Sequence, residues 1–241
     1  MTAPASLRIV ERFVSVQGEG SLVGVSSQFV RVSGCNLRCV WCDTPESSWD
    51  PRGERFALDQ LVEDCRKGPR HIVLTGGEPM IFPETRELAT RLRDAGHHLT
   101  IETAGTHWLE GIDCDLISIS PKLANSTPWT RAPALAARHE RRRENLPVVR
   151  KMLTALPWQI KFVVRTTSSH ERDNDLAEID RLVDKLEIEE SLHERIFLMP
   201  EATSHDSLLR GYQALIEPCR ARSFRLGERL HITLFGNTPG T

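Results

Sequence analysis

The 241-residue sequence has no excess of either charge, no apolar run of membrane length, no internal repeat and no low-complexity tract. Each absence removes a class of function. Lys and Arg total 31 against 33 Asp and Glu, a net charge of -2, so the bulk charge gives no reason to expect nucleic acid or an acidic membrane surface as partner. No stretch approaches the roughly 20 apolar residues that span a bilayer. Residues 1–7 lack the basic start and apolar core of a secretory leader, so a cytoplasmic location is expected. With 39% hydrophobic and 27% charged residues, the composition is that of a folded globular chain rather than a disordered one. The length suits one domain over residues 1–241 with a substantial core.

What is present is an alternation of apolar runs and amphipathic stretches. Residues 7–16, 28–32, 71–74, 98–102, 115–120, 159–165 and 195–199 read as strands, rich in Val, Ile, Leu and Phe. Residues 56–67, 83–95, 173–186 and 204–219 read as helices, with apolar residues such as Leu58, Leu61, Val62 and Cys65 at helical spacing. The alternation predicts an α/β fold of βα units on a mainly parallel sheet, open or closed into a barrel. Residues 124–157 break the rhythm with Pro128, Trp129, Pro133 and the run His139-Glu-Arg-Arg-Arg-Glu144. This span reads as an insertion, a lid or an oligomer contact, its basic run a solvated helix face.

Cysteine is scarce, and three of the six sit within eight residues at Cys35, Cys39 and Cys42. Cys65, Cys114 and Cys219 are scattered, as expected of small apolar fillers. A disulfide framework would spread its cysteines through a small secreted chain; a tight cluster more often binds metal or does redox chemistry. The spacing Cys-x3-Cys-x2-Cys, on a loop after a strand, supplies three thiolates for a cubane iron–sulfur cluster and leaves the fourth iron open to a small molecule. Structural zinc normally takes four protein ligands, and no further His or Cys follows at finger-like spacing.

With Trp41 just before the last cysteine, this loop resembles the signature of the radical S-adenosylmethionine (SAM) superfamily. The resemblance implies a 4Fe–4S cluster on Cys35, Cys39 and Cys42, with SAM on its open iron. Thr75-Gly-Gly-Glu-Pro79 looks like the superfamily's Gly-Gly-Glu motif, in which Gly76, Gly77 and Glu78 receive the methionine ammonium. Trp41, Ser120 and Lys122 are further cofactor-binding candidates. Gln17-Gly-Glu-Gly20, Phe29-Val-Arg-Val-Ser-Gly-Cys35, Trp41-Cys-Asp-Thr44, Ser120-Pro-Lys122 and Leu230-His231 together resemble the 7-carboxy-7-deazaguanine synthase family over almost the whole chain.

That family turns 6-carboxy-5,6,7,8-tetrahydropterin into 7-carboxy-7-deazaguanine with loss of ammonia, on the route to queuosine. The resemblance implies a partial, open (β/α)6-type barrel with reduced helices, a homodimer and a flavodoxin-type reductant. It implies Mg2+ on Thr44, and magnesium's preference for oxygen donors agrees; the adjacent Asp43 could support the metal or the cofactor, and the alternative reading of Asp43-Thr44 is a helix cap. A pterin edge of donors and acceptors suits Gln17, Gly18 and Glu19, and the fork of Arg31 suits the 6-carboxylate. Thr75 and His231 are further substrate candidates. Some members end soon after the segment matched by Leu230-His231 and place the chain terminus at the substrate; this sequence runs on to Thr241, so no such role is expected here. Two rival readings are an activase acting on a protein partner and a non-enzymatic metal-binding module.

Overall fold

The computed structural model describes residues 4–236, 238 and 240–241. In chain order the elements are β1 (Ser6–Val16), β2 (Ser26–Val32), α1 (Pro45–Ser48), β3 (Glu54–Ala57), α2 (Leu58–Arg66), β4 (His71–Gly76), α3 (Glu84–Asp94), β5 (His98–Thr103), β6 (Leu116–Ile119), α4 (Pro133–Arg143), α5 (Leu146–Ala155), β7 (Trp158–Val164), α6 (Ser169–Leu186), β8 (Ile196–Pro200), α7 (His205–Arg222), β9 (Arg225–Leu226) and α8 (Leu230–Phe235). They build one sheet in the order β3-β1-β2-β4-β5-β6-β7-β8-β9. Strands β2, β4, β5, β6, β7, β8 and β9 pair in parallel, while at the other end β1 pairs antiparallel with both β2 and β3. The two ends do not pair, so this is the open α/β sheet expected of the sequence. One crossover is reduced: β5 passes to β6 with no helix between them. No helix among the described residues is long and apolar enough to cross a membrane.

Alternation along each strand divides the sheet into two faces. Val30, Val32, Ile72, Leu74, Leu99, Ile101, Ile117, Ile119, Ile160, Phe162, Ile196 and Leu198 point to one side, into a single core with helix residues such as Leu61, Leu88, Ile179 and Leu215. Cys65, Cys114 and Cys219 sit in that same core as free thiols, which fits the filler role. Residues between them, including Arg31, Thr75, Glu102, Ser118, Gln159 and Lys161, point to the other side. Strands of a parallel sheet are usually apolar on both faces, so this polar face is the unusual feature.

Two local expectations are corrected, the bounds of the first predicted helix and the solvated face of the basic run. Residues 56 and 57 belong to the short edge strand β3 rather than to the following helix, because they pair with Leu7 and Ser6 of β1. The span 124–157 is mostly helical and forms α4 and α5 between β6 and β7. Its basic run is not simply a solvated face. His139 and Arg143, one turn apart with Ala136, face inward and are buried, and Arg143 is paired with Glu140 and, at 2.6 Å, with Glu178 of α6.

Candidate active site

The strand ends deliver the site. The chain leaves β2 through Ser33-Gly34 into the cysteine loop, and leaves β4 through Gly76-Gly77 directly beside it. Gly76 has φ +137°, and a Cβ there would lie 2.3 Å from the Val32 carbonyl oxygen. A Cβ on Gly77 would lie 2.1 Å from that of Gly34. The Gly77 and Glu78 amides donate to the carbonyls of Val32 and Gly34 at 3.1 and 2.9 Å. The double glycine is needed because two backbones are in contact. The close approach that the two glycines permit is, in this structure, one between the β2 and β4 ends of the chain.

Glu78 has a structural part as well. Its carboxylate is fully buried and accepts from the Met80 amide (3.1 Å), the Thr103 hydroxyl (2.7 Å), the Ala104 amide (2.8 Å) and the Thr106 hydroxyl (3.4 Å). Burial pushes its pKa up, against the pull of these donors. Through these bonds Glu78 ties the β4 and β5 ends together beside the cysteine loop.

Cys35, Cys39 and Cys42 gather around Leu37 and Ala104 in one small cluster. Burial pushes the Cys35 and Cys39 thiols up to about 12, so a bound cation is what would make them thiolates. Among the described residues no three His, Cys, Asp or Glu side chains could share one metal ion. A cubane differs, because each thiolate takes its own iron and the sulfurs stand wider apart. Three cysteines on one loop, with no fourth protein donor among the described residues, therefore fit a cluster better than a single ion.

Around this loop the other cofactor candidates assemble. Trp41 donates its indole N–H to Asn125 (3.1 Å), and the Lys122 ammonium lies 5.7 Å from the Trp41 ring centre. Lys122 also donates to the Ser120 carbonyl and hydroxyl at 2.9 and 2.8 Å. Thr44 sits where it could cap α1, yet its hydroxyl makes no cap bond. That oxygen lies 3.5 Å from Asp43 and 3.9 Å from the Cys42 sulfur.

The substrate candidates meet on the polar face. The loop after β1 folds over it, with the Ser21 amide donating to Gln159 at 2.9 Å. Glu19 receives Lys161 at 2.8 Å and Arg229 at 3.2 Å. Burial alone would raise the Glu19 pKa, but these two cations hold it well below the ordinary carboxylate range. Lys161 also reaches Glu102 at 3.2 Å; burial would lower its pKa, and the two carboxylates raise it instead. Glu102 in turn accepts from Thr75 (2.8 Å) and from Gln17 (3.5 Å). His231 packs on Gly18, where a Cβ would meet its Nδ1 at 2.1 Å, and burial lowers its pKa. Arg31 shares the face in register with Thr75. Its Nε donates to Glu11 at 2.6 Å, while its terminal nitrogens have no partner among the described residues.

Glu102, Lys161 and Arg229 are central here and were not read from the sequence. Lys161 left a trace, being the one charge in the apolar run of β7, Trp158–Val164. Arg229 left none, although it joins Glu19 to Asp43 and donates to the Ala202 carbonyl. Of the tail, Asn237 and Pro239 lie outside the described residues.

The open parallel sheet with a cysteine loop at the end of its first parallel strand defines a class, and the comparisons agree: residues 29–183 match the Radical SAM superfamily. Within that class the chain belongs to the 7-carboxy-7-deazaguanine synthase family. It is 43% identical to 7-carboxy-7-deazaguanine synthase of Rhodopirellula baltica, covering 98% of this chain and 90% of that one. It is 36% identical to the synthase of Halobacterium salinarum, covering 98% and 93%. The crystal structure of QueE from Escherichia coli superimposes with a TM-score of 0.64 at 27% identity, covering 92% of this chain and 93% of that one. Membership brings with it a 4Fe–4S cluster and SAM. Neither the activase reading nor the non-enzymatic one is favoured by these relatives.

Proposed function

We propose that this chain is a lyase that converts 6-carboxy-5,6,7,8-tetrahydropterin to 7-carboxy-7-deazaguanine with loss of ammonia. The observation that carries it is the set Gln17, Glu19, Thr75, Glu102, Lys161 and Arg229, joined on the polar face beside the cysteine loop. A bare radical-generating loop would not need it. When bound, the cluster and SAM supply the carbon radical that takes a hydrogen atom from the substrate.

The chain's own residues bind and orient. Glu19 is kept anionic by Lys161 and Arg229, so it only accepts hydrogen bonds and suits the N–H donors of a pterin edge. Gln17 presents an amide that can both donate and accept. His231 packs where a side chain on Gly18 would stand, so the glycine lets the imidazole lie against the loop that carries Gln17 and Glu19. Glu11 orients Arg31 through Nε and leaves its two terminal nitrogens for the 6-carboxylate. Lys122, Ser120 and Trp41 form the polar wall on the cofactor side.

Finer features belong to the same proposal. Mg2+ is assigned to the Thr44 hydroxyl with Asp43, an oxygen pair that suits a hard cation. The reductant is taken to be an acidic flavodoxin-type protein: Arg138 and Arg141, both exposed on α4 beside His139 and Arg142, which contact the cysteine loop, have no ion-pair partner among the described residues. A homodimer is supported by Leu209 and Ile216, two turns apart and exposed on α7, with Leu226 on the edge strand. A cytoplasmic setting agrees with six free cysteines. One anaerobic experiment tests the core of this reading: reconstituted protein with SAM, Mg2+, dithionite and the pterin, analysed by mass spectrometry. Product mass supports it, and 5′-deoxyadenosine without product overturns the substrate. Omitting Mg2+, replacing dithionite with reduced flavodoxin and weighing the protein by light scattering test the finer features; unchanged turnover, no turnover and a monomer mass would remove them in turn.

A further inference from the structure

We propose that segment 126–142 is a clamp on the cysteine loop, with buried His139 as its positioning residue, an inference that rests on the loop holding the cluster. The loop's backbone between Cys35 and Cys42 is gripped at four points. The Arg38 amide donates to His139 Nδ1 at 3.0 Å, and the Val40 amide donates to the Ser126 carbonyl at 2.8 Å. The Asn36 carbonyl accepts from Arg142 at 3.2 Å, and the Val40 carbonyl accepts from Arg131 at 3.2 Å. The grips fall on every second residue, Asn36, Arg38 and Val40, so the clamp fixes the loop's path as a neighbouring strand would.

The ring's tautomer follows from its partners. Nδ1 accepts from an amide, so the proton sits on Nε2 and is donated to the Ser126 hydroxyl at 2.9 Å. That hydroxyl passes its own proton to the Leu123 carbonyl at 2.7 Å. His139 and the Ser126 hydroxyl each accept one hydrogen bond and donate one, and both residues are buried, with 2% and 0% exposure. The clamp is anchored from behind, since Arg143 on the next turn of α4 is paired to Glu178 of α6. None of these residues is a candidate cluster ligand or lies on the polar face. They act on the cluster only by holding the loop from which the cysteines project.

Groups that orient metal ligands from outside are typically worth 10–100-fold in metal affinity. The test is iron release from the reconstituted protein under an anaerobic chelator, without SAM or substrate. His139→Leu is expected to lose iron about 10–100-fold faster than the parent. His139→Asn, whose side-chain oxygen falls near the Nδ1 position, is expected to restore most of the retention. Melting curves of the iron-free proteins separate loop positioning from general destabilisation. Should His139→Leu not fold, Arg142→Ala removes a single grip from the exposed side and is expected to speed release several-fold. Equal release from His139→Leu and the parent, or from His139→Asn and His139→Leu, overturns the clamp; with Arg142→Ala as the folded variant, release at the parent rate does so. Failure of the parent itself to take up four irons would instead overturn the cluster reading.

Discussion

The two faces of one sheet follow different rules although their residues are neighbours in sequence. On β7, Phe162 enters the helix-covered core with no exposed surface, while Lys161, one residue earlier, points to the opposite side between two carboxylates. The same alternation sets Leu74 against Thr75 and Ile101 against Glu102. The apolar face is stabilised by removal of area from water, which is non-directional and forgiving of shape. The polar face is held by charges and hydrogen bonds in fixed geometry, each costly to leave unpaired. The lesson is a division of labour: one face buries the apolar area that folds the chain, and the other gathers the polar groups that suit binding.

The sharpest break of this comparison is Lys161→Met. Burying a thioether of similar length between Glu19 and Glu102 leaves two carboxylates without their shared cation, and the loop carrying Gln17 and Glu19 loses its anchor. Loss of one partner of a buried pair costs several kcal/mol where the pair is used. We expect kcat/KM to fall about 10³-fold, equivalent to about 4 kcal/mol, with the circular-dichroism spectrum and cluster content retained. Activity within tenfold of the parent would remove the polar network from the reaction.

The complementary change is one residue away. Phe162→Ala empties a fully buried site and should lower unfolding stability by about 3–5 kcal/mol. Below its melting temperature the variant should keep kcat/KM within about threefold of the parent, because no group on the polar face is touched. Denaturant melts and assays at low temperature check both halves. A large kinetic defect in folded protein would mean that the faces are coupled.

This division also explains what the sequence disclosed. The apolar face is a periodic pattern, so the parallel strands and their helices could be read directly from it. The cysteine loop was legible because its residues lie close together and their chemistry is specific. The polar network was not, since its members are isolated charges brought together from far apart: Glu19 meets Lys161 across 142 residues and Arg229 across 210. Short edge strands such as β3 and β9 depend on pairing rather than pattern and were missed for that reason. Glu78 shows a subtler limit. A motif tells which residue type is required, but only the structure showed that its oxygens are satisfied by Thr103, Thr106 and two amides.

The smallest expected effect tests whether the polar face also carries a cost for folding at the far end of the strands. His71 begins β4 and is nearly buried, with the Ser27 hydroxyl on Nδ1 at 2.5 Å and the Thr100 hydroxyl on Nε2 at 2.9 Å. Burial and neighbouring His98 lower its pKa to about 4, against the opposing pull of Glu102 and Asp115. The unfolded chain would hold that proton with a pKa near 6.5, so between those values the unfolded state binds more protons than the folded one. Stability is therefore complete above about pH 6.5 and declines as pH falls towards 4. His71 should account for about 1–2 kcal/mol of the loss between pH 7 and pH 5. Denaturant melts at the two pH values, repeated on His71→Gln, isolate that share. An unchanged pH slope in the variant would show that His71 is protonated as readily in the folded chain as in the unfolded one, and that this end of the polar face adds no acid lability.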